Sequence, residues 1–331
     1  MTKLPRRRLL QLAAGAAAFP AVARIARAQA YPSRPITIVV PSGAGGPSDV
    51  VARIVVEHMR GFLGQPLIID NVTGANGTLG TGRVARAKPD GYTLTFSVSS
   101  STHVLNAAIY ALPYDVINDF EPVALVADSP QLIVARKEMP AKDLKELIAW
   151  LRANPDKASL GHTGSGSPAH VAGIFFQKQT GTRFQNVTYR GAGQAMQDVI
   201  AGHIDLMFPA PSISLAPAHA GSIKAYAVMA NTRLAVGPDV VTVDEAGLPG
   251  MYASTWFALW APKGTPPDVI GKLNAAVVDA LADTAVRKRL GELGYDTPAR
   301  EQQTPEALGA YQKAEIEKWW PMLKEAGIKG E

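Results

Sequence analysis

A glycine-rich loop between a strand and a helix constrains this chain more than any other part of its sequence. The residues Ile36–Val40 have strand character and lead into the loop PSGAGGP at residues 41–47. From Val51 onward the apolar residues recur with a helical period. A helix with Ser48 or Asp49 as its N-cap directs unpaired N–H groups and the positive end of its dipole at one point, which favours an anion.

Two further strands also end in loops rich in Gly, Ser, Thr or Asn. Leu67–Asp70 leads into NVTGANGT, and Tyr92–Phe96 leads into SVSSSTH. Ligands bind beyond the carboxyl ends of strands in parallel α/β sheets, so these loops predict one shared site. A second block of strand, loop and helix units covers residues 158–230, and a late apolar strand at Ser254–Ala261 precedes three helices. The pattern predicts two α/β lobes, joined by two crossovers near residues 125–133 and 252–258, with a ligand cleft between them.

The first thirty residues resemble an export signal that is removed. Arginines at positions 6–8 precede an apolar stretch, and Ala28-Gln29-Ala30 forms a small-x-small cleavage site. The paired arginines favour twin-arginine export, although Pro5 stands where Ser or Thr is usual; the alternative is an ordinary secretory signal. No later run reaches the ~18 apolar residues of a membrane span. We therefore expect a soluble periplasmic chain, cleaved after Ala30 and not inserted in the membrane.

Composition excludes several classes of function. The leader carries six of the 33 basic residues and none of the 28 acidic ones, so the mature chain is nearly neutral. This balance argues against nucleic acid or an acidic membrane surface as a partner. Cysteine is absent, which excludes disulfides, thiolate catalysis and cysteine metal sites.

The glycine loops do not match the motifs of common enzyme classes. The loop at residues 43–48 lacks the third glycine of a dinucleotide fingerprint, and neither GxxxxGK[ST] nor GxSxG occurs. None of the six histidines has an HExxH or paired zinc spacing. We predict a non-enzymatic protein with no cofactor and no metal. The alternative from another class is a twin-arginine-exported enzyme with a cofactor.

A series of motifs runs in one order along the whole mature chain: VPSGAGGPSDVVAR, NVTGANGT, KPDGYTL, LPYDVINDFEPVALV, TGSGSPAHVAGIFF, TYRGAGQAMQDVIAGHIDLMF and WFALWAPKGTP. Together they resemble the periplasmic receptors of tripartite tricarboxylate transporters, also called Bug-type receptors. The resemblance implies a two-lobed α/β fold of the type II periplasmic binding protein (Venus flytrap) class. It also implies a monomer that closes on a small carboxylate and delivers it to membrane permease subunits. An orphan receptor of the same fold that reports ligand to a sensor is the alternative.

The resemblance also implies where the boundaries of the two lobes lie. We place the signal peptide at residues 1–30, the first lobe at residues 31–126 and 256–331, and the second lobe at residues 127–255. Trp256 and Trp260 are expected in the hinge and core rather than in a binding platform.

The expected carboxylate site begins at the first glycine loop. The N–H groups of Gly43, Gly45 and Gly46 and the hydroxyls of Ser42 and Ser48 are the expected donors, so no buried arginine is needed. Asp49 would repel an anion, and its alternative role is a helix cap or loop organiser behind the site. The resemblance adds further residues in both lobes: Thr73, Asn76, Gly77, Ser100, His103, His162, Thr163, Ser165, Gly166, Arg190, Asp205 and Phe208.

Several of these residues have structural alternatives. His103 is either a ligand contact or a buried structural histidine, and Thr73 departs from the family's second loop, where plain turn chemistry is the alternative. His162 stands where the family commonly has a small residue, and it can donate to a second carboxylate. Arg190 replaces a common lysine and has a surface or capping role as its alternative. Asp205 either takes a ligand's amino group or hydroxyl, or braces its loop.

Overall fold

The computed structural model describes residues 31–328, so the predicted signal peptide lies outside the described residues. Within residues 31–328 the chain forms ten strands in two five-stranded sheets, with helices on both faces. The strands are β1 (Ile36–Val40), β2 (Leu67–Asn71), β3 (Thr93–Val98), β4 (Phe120–Pro130), β5 (Leu132–Arg136), β6 (Ser159–His162), β7 (Gln185–Thr188), β8 (Leu206–Met207), β9 (Ile223–Val228) and β10 (Ser254–Pro262).

The α-helices lie between the strands in most of the chain, and three of them follow the last strand. They are α1 (Pro47–Leu63), α2 (Thr78–Ala85), α3 (Asn106–Ile109), α4 (Leu144–Ala153), α5 (Pro168–Thr180), α6 (Ala192–Ala201), α7 (Pro211–His219), α8 (Pro267–Ala282), α9 (Thr284–Glu292) and α10 (Pro305–Glu325). Short 3₁₀ turns at Ala75–Gly77 and Arg300–Gln303 precede α2 and α10, and a π-turn at Ser101–Leu105 precedes α3. None of the helices in the described chain is both long and apolar enough to cross a membrane.

Each sheet mixes parallel and antiparallel strands. The first has the order β2-β1-β3-β10-β4, in which β1 runs parallel to β2 and β3, while β10 runs antiparallel to β3 and β4. The second has the order β7-β6-β8-β5-β9, in which β6 runs parallel to β7 and β8, while β5 runs antiparallel to β8 and β9. We call each sheet with its helices a lobe. The predicted two-lobed α/β fold is therefore confirmed.

The first strand-loop-helix unit shows why these residues form these elements. Four of the five residues of β1 are fully buried, as expected for a parallel strand covered on both faces. Helix α1 ends at Gly64, which takes the left-handed conformation with φ 65°. Its N-cap lies two or three residues before the predicted Ser48 or Asp49. Pro47 occupies the first helical turn, where its fixed φ is favourable, and Gly46 is the N-cap.

The two crossovers run side by side between the lobes. The chain leaves the first sheet at Gln131, whose N–H donates to Ala253 O at 3.0 Å. The N–H of Ala253 donates in turn to Met229 O at 3.0 Å, and the Met229 N–H donates to Gln131 O at 2.7 Å. Trp256 and Trp260 on β10 are 0% and 1% exposed, so they belong to the core next to this junction.

Candidate ligand-binding cleft

A cavity of about 490 Å³ lies between the two sheets. In the first lobe its wall is formed by the loops after β1, β2 and β3. In the second lobe the wall is formed by the loops after β6 and β8. Ser129 and Thr255 of the two crossovers complete it. A volume of this size suits a small molecule, and its position at the carboxyl ends of parallel strands agrees with the sequence expectation.

Four helices begin at this cavity. Its lining includes Ser48 in the first turn of α1, Ala169 in α5, Ala192 in α6 and Ser212 in α7. No side chain caps the N-terminus of α1, α6 or α7, so their first N–H groups remain available as donors. Helix α5 is capped by Ser167, whose hydroxyl accepts from the His170 N–H at 3.4 Å.

The charge of the cavity comes from the backbone. No Asp, Glu, Lys or Arg of residues 31–328 lines it. Each helix N-terminus carries about half a positive charge, so four of them make the space favourable for an anion without any cationic side chain.

Asp49 organises the first loop from behind. Its side chain is 3% exposed and accepts from the Gly45 N–H at 2.8 Å, from Asn71 Nδ2 at 3.0 Å and from both Nε and Nη2 of Arg53. The Arg53 hydrogen bonds lower the pKa of this carboxyl to about 2. Asp49 does not line the cavity, which agrees with its alternative role as a loop organiser.

The same network uses two of the predicted donors. The Gly45 N–H is directed to Asp49, and the Gly46 N–H donates to Gly43 O at 3.1 Å. Neither glycine lines the cavity, so these two N–H groups hold the loop instead of facing a ligand. Ser42, Gly43 and Ser48 do line the cavity, and the Ser42 hydroxyl is buried with no hydrogen-bond partner among the described residues.

The second loop reaches the cavity as expected. Thr73, Asn76 and Gly77 all line it. Asn76 has φ 51° and is fixed to Asn106 by two hydrogen bonds of 3.1 and 3.0 Å. These bonds hold the loop against the end of the π-turn that follows β3.

The third loop contributes different residues from those expected. Ser101 and Thr102 line the cavity, whereas Ser100 and His103 do not. His103 is fully buried and stacks on Trp260 with ring centroids 4.5 Å apart and 8° between the planes. Burial lowers its pKa to about 3. His103 is thus a structural histidine. Ser100 is also buried, and it lies in a separate small space beside Gln131.

The second-lobe wall is formed by the turn after β6. His162 and Thr163 line the cavity, but Ser165 and Gly166 do not. Gly166 has φ 76°, and a Cβ atom added there would clash with Ile109 of the first lobe. Gly166 therefore allows the lobes to approach each other rather than contacting a ligand.

His162 forms a pair with a second histidine. His162 is 2% exposed, and its ring centroid lies 4.5 Å from the ring centroid of His170 on α5. The His162 Nδ1 atom lies 3.1 Å from Gly164 N and 3.2 Å from Gly164 O. Its Nε2 atom is buried and has no hydrogen-bond partner within the described chain. Burial lowers the pKa of His162, and burial together with His162 lowers that of His170 to about 4.

The three remaining predicted residues lie in different places. Phe208 lines the cavity at the end of β8, as expected. Asp205 precedes β8 at its opposite end, where it pairs with Arg136 at 2.7 Å and accepts from the Ser159 N–H at 2.9 Å. The structure therefore corrects its placement, because its carboxylate braces the amino ends of the strands. Arg190 is exposed just before α6 and does not line the cavity.

The sequence interpretation missed residues from three places. The segment after β8 supplies Pro209, Ala210 and the start of α7, and its strand-Pro-helix pattern repeats that of the first loop. The crossovers supply Ser129, Gln131 and Thr255. Tyr295 comes from the segment after α9 and packs edge-on against Phe257 at 5.2 Å. No local pattern marks Tyr295, because a bridge between distant residues brings it to the cavity.

Comparison with known proteins shows consistent similarity. The model of the tripartite tricarboxylate transporter family receptor matches residues 51–328. Protein BugT of Bordetella pertussis is 34% identical over 303 residues, which cover 91% of this chain and 92% of BugT.

Two solved structures are similar over nearly the whole chain. MatC (Rpa3494) from Rhodopseudomonas palustris with bound malate has a TM-score of 0.75 and 39% identity, and it covers 88% of this chain and 100% of MatC. Rpa4515 of R. palustris with adipate has a TM-score of 0.77 and 30% identity, and it covers 91% of this chain and 100% of Rpa4515. The family and its structural neighbours are solute-binding receptors and not enzymes. This chain belongs to the tripartite tricarboxylate transporter receptor family.

Proposed function

We propose that the protein is a periplasmic receptor that captures a small carboxylate between its lobes and delivers it to the permease subunits of a tripartite transporter. One observation carries this proposal. Four helix N-termini surround a cavity that no charged side chain of the described chain lines. Such a cavity favours a small anion over a neutral sugar or a cationic amine.

The ligand we propose is a short dicarboxylate. The relatives described above hold malate and adipate, acids of four and six carbons. Hydrogen bonds to a charged acceptor contribute roughly 1.5–3 kcal/mol each. Three or four of them, less the cost of association, are sufficient for a micromolar complex at about −8 kcal/mol.

The contacts we propose come from both walls. In the first lobe they are the hydroxyls of Ser42 and Ser48 and the Gly43 N–H. In the second lobe they are Thr163, His162 and the free N–H groups at the starts of α6 and α7. The lobes, residues 31–126 with 256–331 and residues 127–255, close on the ligand as two bodies. The crossovers at Gln131 and Ala253 absorb the motion, and the signal peptide at residues 1–30 directs the chain to the periplasm.

A thermal-shift panel on residues 31–331 tests the ligand class. The panel includes citrate, malate, adipate, aspartate, glutamate, nicotinate and aromatic diacids, with sugars and cationic amines as controls. An acid at 100 times its dissociation constant stabilises the folded protein by about 2.7 kcal/mol. Stabilisation by sugars or amines alone would contradict the proposal.

Delivery to a permease needs a separate test. Uptake of the radiolabelled acid by cells should be lost when the gene for this chain is deleted, and it should return when the chain is supplied again. Unchanged uptake, together with a transcriptional response to the acid that requires the chain, would favour the alternative of a receptor that reports to a sensor.

A further inference from the structure

We propose that His162 is the specificity-determining residue of the cleft, and that its imidazole takes up a proton when it donates to the second acidic group of the ligand. This inference rests on the proposed function, because it concerns an acid bound in the same cavity. The inference adds that the protein takes up a proton when it binds the acid. Binding by the helix N-termini alone would need no proton uptake.

The surroundings of Nδ1 offer it a hydrogen-bond partner in either charge state of His162, because an acceptor replaces the donor when the ring is protonated. Gly164 brings both its N–H and its carbonyl oxygen within 3.2 Å of Nδ1. The neutral ring accepts from the Gly164 N–H at Nδ1 and carries its own proton on Nε2. The protonated ring has a hydrogen on both nitrogens, and Nδ1 then donates to Gly164 O. Gly164 has φ 119°, a conformation that other residues rarely adopt, so this dual contact depends on glycine.

The Nε2 atom of His162 is the ring nitrogen left for a ligand, because Nδ1 is already in contact with Gly164. It belongs to a residue of the cavity wall, and it is buried without a partner among residues 31–328. An unpaired buried donor is costly, so a ligand oxygen that accepts from it gains more than a similar contact at the surface. If that oxygen is anionic, its charge favours the protonated ring.

His170 differs from His162 in this respect. Its Nδ1 accepts from the Gly166 N–H at 3.1 Å, and no carbonyl of the described chain is paired with it there. Protonation at Nδ1 would break this bond and place a second charge beside His162. Burial, together with the neighbouring His162, lowers the pKa of His170 to about 4. The histidine pair therefore has one member that can take a proton and one that stays neutral.

The other titratable groups around His162 do not compete for the proton. Tyr189 follows the neighbouring strand and donates to Asp198 at 2.7 Å, and burial together with this carboxylate raises the pKa of Tyr189 to about 12. The Asp198 carboxylate also pairs with His203. Across the cavity, burial raises the pKa of Tyr295, so its hydroxyl stays neutral. No carboxylate or cationic side chain of the described chain lines the space between His162 and the first lobe.

The coupling has a definite sign. Burial holds the pKa of His162 below its usual value of 6.5 in the empty protein. An anionic ligand raises that pKa, so between the two values binding takes up a proton and tightens as the pH falls. The limit is tenfold in affinity for each pH unit. The second carboxyl of a diacid titrates above the first because like charges repel, so the proton uptake of the free diacid is measured separately and subtracted.

Isothermal titration calorimetry of residues 31–331 tests this coupling. The probes are the diacid that gives the largest thermal shift in the panel and the monoacid with the same carbon chain. We expect the diacid to bind roughly tenfold tighter at pH 6 than at pH 8. At pH 7 its binding heat should differ between phosphate and Tris buffers by the amount that proton uptake dictates. The monoacid should bind more weakly and without proton uptake.

Variants separate the two histidines. His162→Gln keeps a donor but cannot be protonated, so we expect weaker diacid binding that no longer changes with pH. His170→Gln should retain the pH dependence, and His203→Gln, at an exposed position, should behave as the wild type. Diacid binding without proton uptake in the wild type would overturn the proposal and leave the carboxylate receptor intact. If no acid binds at any pH, the proposed function itself fails.

Discussion

The loop at residues 41–49 and the turn at residues 162–167 face the same cavity, but different forces hold them in place. We call them the first wall and the second wall. Behind the first wall, a buried carboxylate, Asp49, ties the loop to α1 and to Asn71 through charged hydrogen bonds. The second wall contains no charged side chain. It relies on glycines in left-handed conformations and on two neutral imidazoles.

Because of this difference, the two walls contribute differently to ligand binding. A rigid loop that is braced from behind can present the same hydroxyls and N–H groups to any carboxylate. A wall of glycines and titratable rings can differ between related receptors without loss of the fold. We therefore expect the first wall to provide affinity that is independent of pH and the second wall to discriminate between acids.

The largest expected effect is on the packing of the first wall. A Cβ atom added at Gly80 of α2 would lie 2.8 Å from both Pro41 Cβ and Val72 O. Gly80→Ala should lower the free energy of unfolding by about 2–3 kcal/mol, because backbone atoms of two loops cannot both move away. A Cβ atom added at Gly193 of α6, beside the second wall, would have no neighbouring heavy atom within 4 Å. Gly193→Ala should be neutral or stabilising by up to about 1 kcal/mol. Urea denaturation of both variants measures the contrast, and equal losses would contradict it.

The brace of the first wall should also appear as a pH dependence. Asp49→Asn should lower stability by about 2 kcal/mol at pH 7. Because the folded pKa of about 2 lies below the ordinary value of 3.8, the contribution is complete above about pH 5 and is lost as the pH falls through 2. The wild type and the variant should therefore converge between about pH 5 and pH 2. Denaturation over this range measures the difference, with Gly193→Ala as a control that changes no titratable group. A constant difference would show that Asp49 does not act through its charge.

A moderate effect is expected for the donors of the first wall. Ser48 is 2% exposed and lines the cavity in the first turn of α1. Ser48→Ala should weaken binding of the acid about tenfold, by loss of one hydrogen bond to a charged acceptor, and should not unfold the protein. Calorimetry measures it, and the exposed Ser33→Ala serves as the control. Unchanged affinity would remove Ser48 from the site and weaken the distinction between the walls.

The smallest effect is expected at the rim of the second wall. Arg190 is exposed next to the N-terminus of α6. Arg190→Gln should reduce affinity only two- to threefold at low salt, and 0.5 M NaCl should abolish the difference, because exposed charges are screened. A tenfold loss that persists in salt would place Arg190 in contact with the ligand.

The local parts of this fold and site were predictable from the sequence. The strand-loop-helix units follow from hydrophobic period, proline at helix starts and glycine at helix ends, all of which are decided within about twenty residues. For this reason the first wall, the second loop and His162 were expected at one cavity, and the structure brings them together.

Other parts depend on contacts that the sequence does not display. The Gly45 N–H is used by a carboxylate four residues away, so counting glycines overestimates the donors that face the cavity. Asp205 precedes β8, which has only two residues, Leu206 and Met207, so its carboxylate lies at the end of the strand away from the cavity. Tyr295 reaches the cavity through the bridge between Asp128 and Asp296, which joins segments 168 residues apart.

The position of β10 has a consequence for the order in which the molecule assembles. The second sheet is built from one continuous stretch, residues 132–228, and is complete as soon as that stretch has been synthesised. The first sheet begins earlier in the chain but has β10 between β3 and β4, so it remains open in the middle until residue 262. The lobe that starts first therefore finishes last, and its exposed inner strand edges must be protected from wrong pairing for as long as the second lobe takes to form.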